Sequence, residues 1–323
     1  MNLKALKRGD VVDIISPATA CTQDEIAEIK KFVKKIGLLP RIFLEEKLTL
    51  KKPVSHEFPS FEAEQRFQQL KNSIENSESK IIWCTRGGYG SADLLPFLQK
   101  MKKPKNQKIF IGFSDLVSVT TFLQQEWNWQ VICSPMLTQI ALNKVSKKSE
   151  KAILDLIFGK TKELKYKLEP LNNFTKTSTK TPINAEIAGG CISVLAGNFG
   201  TKNQIDWKDK ILFLEDEGED GERLDRYFNQ IVTIMIEQKK YPQATFPQAI
   251  LLGNFLEANP HGTPKAKNIK LAIKKFVERI YKNNLKISVF AEKAKCLGHS
   301  KNMMPLILGC KTTIKNNLLI QTL

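Results

Sequence analysis

The sequence predicts an α/β protein of two domains, on three observations. Apolar runs of strand length alternate with stretches of helical spacing through the first half. A polar segment, "KTKELKYKLEPLNNFTKTSTKTP", interrupts that pattern in the middle of the chain. The strand-and-helix pattern then restarts. Strands alternating with helices call for a parallel sheet covered on both faces. The expected division is residues 1–163 for an N-terminal parallel-sheet domain, 164–182 for a linker, and 183–323 for a smaller C-terminal α/β domain, with the active site in the cleft between them.

In chain order, "DVVDIISPA" reads as a buried strand ending in a turn. "TQDEIAEIKKFVKKIG" has helical spacing, acids near its start and Gly37 at its end. "SKIIWC" is a second strand, running into the glycine loop "TRGGYG", with "SADLLPFLQKM" as its helix. "KIFIGFSD" and "WQVICSPM" are two more strands, the latter followed by "KKSEKAILDLIFG" as a helix. Past the polar segment come "AEIAGGCISVLAGNFGT", "KILFLEDEGEDGERLDRYFNQIVTIMI", "QAILLGNFL", a lysine-rich helix and "ISVFAEKAKCLGHS". The closing "TTIKNNLLIQTL" alternates as a terminal strand does.

The 323 residues, 42% hydrophobic and 26% charged, describe a globular chain with no apolar run near the ~20 residues of a membrane span. "VVDIIS" is too short for a secretory signal, so a cytoplasmic protein is expected. The formal net charge of +17 is lysine spread over many runs, with few interleaved aromatics or arginine clusters. That is the pattern of a solvated surface, and no nucleic-acid partner is expected. The six cysteines, Cys21, Cys84, Cys133, Cys191, Cys296 and Cys310, form no CxxC pair and no zinc spacing.

Three strand ends carry unusual residues, and ligands of parallel sheets gather at strand carboxyl ends. At "TRGGYGSADLL", Gly87 and Gly88 let the backbone approach a ligand closely. Arg86 adds a fork for a carboxylate or phosphate. The bland alternative is a tight turn with a surface arginine. At "GFSD", Ser114 is either a helix N-cap, with Asp115 in the first turn, or a nucleophile beside backbone N–H groups. Leu116 stands where a hydrolase elbow of the G-x-S-x-G type has glycine. At "ILFLEDEGEDGERLDR", Glu215 ends a buried strand. Seven carboxylates fall in the eleven residues from Glu215 to Asp225, without EF-hand spacing. Of the three histidines, His56, His261 and His299, only His299 stands between apolar runs, in "CLGHSKNMMPLILG". An isolated histidine there is commonly structural. Yet a serine, a glutamate and a histidine at strand ends together supply a Ser-His-Glu triad.

"RGGYG", "GFSD", "ILFLED" followed by "DR", "GHSKNMMPLILG" and the early "GDVVDIISPA", in that order, resemble the LD-carboxypeptidase family of serine peptidases. That family includes murein tetrapeptide carboxypeptidases and microcin C immunity peptidases. The resemblance implies Ser114 as nucleophile, His299 as general base and Glu215 as the residue orienting the histidine. It implies an oxyanion hole from the backbone N–H groups of Asp115 and Gly88, a homodimer, and no metal or cofactor. Arg86, Gly87 and Ser134 are the expected substrate contacts, with Arg86 on the peptide's terminal carboxylate. The implied reaction hydrolyses the bond between an L-centre, L-Lys or meso-diaminopimelate, and a C-terminal D-Ala of a murein tetrapeptide, in cell-wall recycling. This chain departs from the family pattern at Gly189-Gly190-Cys191-Ile192 and at Cys133-Ser134-Pro135. Three alternatives stand beside this reading. One is an immunity-type peptidase acting on peptidyl- or aminoacyl-nucleotides, with Trp127, Trp129 or Phe255 as a base platform. Another is a non-catalytic anion-binding protein. The third is a metal-dependent enzyme using the acidic loop.

Overall fold

A six-stranded sheet forms the core of the first unit in the computed structural model, which describes residues 5–47, 49–50, 61–178, 181–256 and 266–323. His56 and His261 lie outside the described residues. The sheet order is Leu306–Leu308, Val131–Cys133, Ile109–Ile111, Ser79–Cys84, Val11–Ile15, Leu39–Arg41. All neighbours pair parallel except Leu306–Leu308, which runs antiparallel along Val131–Cys133. The strands are short and almost wholly buried, which is why they read as continuous apolar runs rather than alternating ones.

The first helix, Gln23–Lys35, follows its sequence signals. Thr22 and Glu25 form a capping box, lysines occupy the last turn, and Gly37 follows with a left-handed φ of +85°. Chain order in the sheet reverses between Val11–Ile15 and Ser79–Cys84. Such a reversal opens a crevice at the carboxyl ends of the two strands, and there the loops 16–20 and 85–90 meet. Ser16 and Thr85 share a hydroxyl hydrogen bond of 2.8 Å, and Thr19 N–H donates to Gly87 O at 3.3 Å.

The second unit, residues 163–300 with 309–322, is a closed seven-stranded mixed barrel. Its order is Ile211–Glu217, Ala249–Leu256, Ser288–Glu292, Glu163–Pro170, Leu318–Thr322, Lys311–Lys315, Ile183–Cys191. Ile183–Cys191, Ile211–Glu217, Ala249–Leu256 and Ser288–Glu292 are mutually parallel, and the other three strands pair antiparallel. Helices Gly221–Gln238 and Ala266–Lys282 pack together through stacked Phe228 and Phe276, with centroids 4.5 Å apart. A two-pronged Arg279–Asp225 pair at 2.6 and 3.0 Å joins the same helices.

Three segments differ in detail from the sequence reading. The polar stretch after residue 162 carries barrel strand Glu163–Pro170, whose Leu164, Tyr166 and Leu168 point inward while its lysines face out. The closing strand is a hairpin, Lys311–Lys315 with Leu318–Thr322, turned by Asn316 and Asn317 at φ +51° and +57°. Left-handed Asn-Asn is a two-residue turn that matches strand twist. Residues 301–308 return to the first unit, where Leu306–Leu308 completes its sheet.

Candidate active site

The first unit presents a serine at the end of strand Ile109–Ile111, the neighbour of the strand that carries the glycine loop. Ser114 sits at φ +65°. An N-cap residue takes the extended region, so Ser114 does not have the backbone of a cap. A left-handed L-residue costs about 1–2 kcal/mol, and such strain collects at functional positions. The strand passes through Ser114 into a short 3₁₀ turn, Ser114–Leu116, and then into helix Val117–Trp127. The result is a sharp strand-to-helix turn with the serine at its apex.

The glycine loop fits closely against this turn. A Cβ on Gly87 would lie 2.9 Å from Ser114 Cβ and 3.1 Å from its Oγ. A Cβ on Gly88 would lie 2.1 Å from Thr19 Oγ1, and Gly88 already has φ +111°. Asp115 ties loop to turn: its carboxylate accepts from Ser91 N–H at 2.8 Å, and its carbonyl accepts from the Ser91 hydroxyl. Burial pushes the Asp115 carboxyl up, against hydrogen bonds from Ser91 and Gly90 that pull it down. From below, the buried Arg66 donates to Pro17 O at 2.7 Å, Gly90 O at 2.8 Å and Asp93 at 3.1 Å. One guanidinium thus satisfies carbonyls of both loops at the crevice.

Arg86 turns its Nη1 to both carboxylate oxygens of Glu25 at 3.2 Å, so part of its fork is engaged by the capping-box acid. Ser134 follows strand Val131–Cys133, is fully buried, and its hydroxyl has no hydrogen-bond partner among the described residues. Trp127 and Trp129 are 3% and 2% exposed and pack on each other in the first unit's core, centroids 5.5 Å apart. They offer no platform for a base. Phe255 packs edge-on against Phe228 at 5.6 Å.

The second unit presents the acid and the histidine. Glu215 lies at the end of strand Ile211–Glu217 and is fully buried. Its Oε2 meets His299 Nδ1 at 2.6 Å and accepts His299 N–H at 3.0 Å. The ring and backbone of one residue are thereby fixed by one carboxylate oxygen. Gly298 makes the approach possible: a Cβ there would stand 2.6 Å from Glu215 Oε2. On the other side, Asn254 Nδ2 donates to His299 O at 2.6 Å and Asn254 N–H donates to Leu297 O at 2.8 Å. Asn254 is aimed there by a bulge, since pairing slips by one residue between Leu214↔Leu252 and Asp216↔Phe255.

Burial alone would lower the His299 pKa. The charge and hydrogen bond of Glu215, with Glu217 and Asp216 adding, outweigh it and raise the pKa from its ordinary value. With Nδ1 facing a carboxylate, the N–H sits on Nδ1 and the lone pair of the neutral ring is on Nε2. That is the tautomer a general base needs. Asp216 points to the strand's other side and accepts from Ser193 N–H at 2.9 Å. Burial lifts its carboxyl to about 6.

Sequence reasoning counted Glu217 only as one of the seven acids from Glu215 to Asp225, and passed over Arg66, Thr19 and Asn254. Asn254 alone left a trace, as a polar residue at the end of the apolar "AILLGN" run. All six thiols are buried, and among the described residues no His, Cys, Asp and Glu cluster is arranged to hold a metal ion. Among the same residues no helix is long and apolar enough to cross a membrane.

Residues 12–134 match the LD-carboxypeptidase N-terminal domain and residues 184–314 the LD-carboxypeptidase C-terminal domain. The Rickettsia prowazekii protein RP402, whose name gives a carboxypeptidase activity in provisional form, is 30% identical over 252 residues, 78% of this chain and 72% of its own. The murein tetrapeptide carboxypeptidase of Pseudomonas aeruginosa is 29% identical over 179 residues, 52% of this chain and 56% of its own. Among solved structures, muramoyltetrapeptide carboxypeptidase from Oxalobacter formigenes shares the fold at TM-score 0.73 and 19% identity, over 97% of this chain and 98% of that one. An MccF-like protein from Bacillus anthracis does so at 0.74 and 18%, over 99% and 98%. The two domain matches, in order and over most of the chain, place this protein in the LD-carboxypeptidase family (Peptidase S66) of serine peptidases.

Proposed function

We propose that this protein is a cytoplasmic, homodimeric serine carboxypeptidase that removes C-terminal D-Ala from murein tetrapeptides. The observation that carries the reading is the strained Ser114 turn, which a helix cap has no need of, in a chain that also buries a Glu215–His299 pair. In this reading His299 Nε2 takes the proton of Ser114 as Oγ attacks the carbonyl of the L-centre. The backbone N–H groups of Asp115 and Gly88 hold the oxyanion. Collapse breaks the L–D amide bond, His299 returns the proton to the leaving D-Ala amine, and an ester on Ser114 remains. Water, deprotonated by His299, then releases the shortened peptide. Glu215 holds the ring in its Nδ1–H form throughout.

The terminal carboxylate of the substrate falls to the rest of the Arg86 fork, with Gly87 leaving room for it. The Ser134 hydroxyl, which has no partner among the described residues, is a ready partner for substrate, because a buried polar group without a partner gains from any it meets. A murein peptide is preferred to a nucleotide conjugate because Trp127 and Trp129 are core residues. The test is incubation of the protein and its Ser114→Ala variant with L-Ala-D-Glu-meso-diaminopimelate-D-Ala, read by mass spectrometry. Loss of D-Ala with the wild type alone is expected. Retention of D-Ala by both overturns the reading.

A further inference from the structure

Strand Ile211–Glu217 alternates faces, so Glu217 follows Glu215 on the same side. Its backbone is fixed by pairing with Leu256, and its side chain is 52% exposed. One carboxylate oxygen lies 3.7 Å from His299 Nε2. That is too long for a hydrogen bond but within ion-pair range. The ring therefore stands between two carboxylates, Glu215 on Nδ1 and Glu217 toward Nε2, with Asp216 on the far side of the strand also favouring its charge. Among the described residues of this unit, these three acids each favour the charged ring.

Glu217 is not needed to orient the ring, since Glu215 already holds both Nδ1 and the backbone N–H. Its position affects the other nitrogen, the one that must be neutral to accept a proton. A negative charge beside Nε2 favours the imidazolium and so opposes the general base. A positive charge brought to Glu217 removes that opposition. We propose that Glu217 is a specificity residue that binds a cationic group of the substrate and, while unoccupied, favours the protonated form of His299. This rests on the carboxypeptidase reading and assigns, within it, the residue that meets the side-chain ammonium of the L-centre. Binding that ammonium readies the base, which couples recognition to the chemical step.

Two measurements test it. The first needs no turnover: the His299 ring is titrated by NMR in the wild type and in Glu217→Gln, with the chain's three histidines separated by a His299→Gln control. The midpoint is expected to fall by about half a pH unit in Glu217→Gln, and the difference to shrink in high salt, as for a half-exposed pair. The second compares kcat/KM near pH 6.5 for a tetrapeptide with L-Lys in third place and for its Nε-acetyl form. The wild type is expected to favour the free ammonium by roughly threefold or more and Glu217→Gln to treat the two alike, the size of one partly screened ion pair. An unmoved midpoint, or the same preference in both proteins, overturns the proposal. If neither peptide is cleaved, the carboxypeptidase reading and the ammonium partner fall together, while the NMR titration still decides whether Glu217 holds His299.

Discussion

The serine end and the histidine end of this protein are built by opposite means. Around Ser114 the geometry is set by backbone: a left-handed serine, two glycines without room for a Cβ, and carbonyls gathered by Arg66. Around His299 it is set by side chains: Glu215 on the ring, Asn254 on the carbonyl, Asp216 beneath the strand. A backbone-built site fails when atoms are added. A site built from buried polar side chains fails when a partner or a charge is removed. The difference predicts which substitutions each end tolerates.

The largest effect is expected from Glu215→Gln, which keeps the shape and deletes the charge. Loss of the carboxylate frees the ring to take the wrong tautomer, and kcat falls by roughly 10²–10⁴-fold. Steady-state kinetics on the tetrapeptide measures this, and a fall below threefold would break the claim that charge organises the histidine end. Next is Gly88→Ala, an addition at the serine end. The new Cβ meets Thr19 Oγ1 in a conformation that already disfavours alanine, so a loss of about 1–3 kcal/mol is expected in urea unfolding. Full stability in this variant would show that the loop is not tightly fitted.

Asp216→Asn sharpens the comparison through pH. The Asp216 carboxyl titrates at about 6 when folded, above its ordinary 3.8. The folded protein then holds that proton more tightly than the unfolded chain. Stability is lost as pH rises from about 4 through 6, and the loss persists above. Asparagine removes this penalty, so the variant is expected to gain on the order of 1–3 kcal/mol at pH 8 and nothing at pH 4. Chemical denaturation at the two pH values decides it, and equal changes at both would refute the buried-charge account. The smallest change in stability is expected at Ser114 itself. Ser114→Gly relieves the left-handed backbone and is expected to raise stability by about 1 kcal/mol while abolishing activity. A less stable glycine variant would mean that Ser114 is not strained.

The same contrast explains what could be read from the sequence. The parallel strands were visible because burial on both faces leaves plain apolar runs such as "KIIWC" and "KIFIG". Ser114, Glu215 and His299 were visible because each interrupts or ends such a run. Barrel strand Glu163–Pro170 was obscured by its outward lysines, although "LKYKL" carries the two-residue alternation of a half-buried strand. The final hairpin hid behind Asn316-Asn317, which has turn chemistry without a glycine. Arg66 and Asn254 left little signal. Their partners are backbone carbonyls far along the chain, and a carbonyl has no letter in the sequence.

The antiparallel edge strand Leu306–Leu308 has a consequence for synthesis. Strand Val131–Cys133, its partner, leaves the ribosome well before the segment that covers it is made. At ordinary elongation rates of ~5–20 residues per second the nascent sheet waits on the order of ten seconds with that edge bare. Bare edges recruit other strands, so translation of this chain creates a window in which a chaperone is useful. His299 emerges just ahead of that strand. A truncated product that lacks the histidine therefore also lacks a finished first sheet.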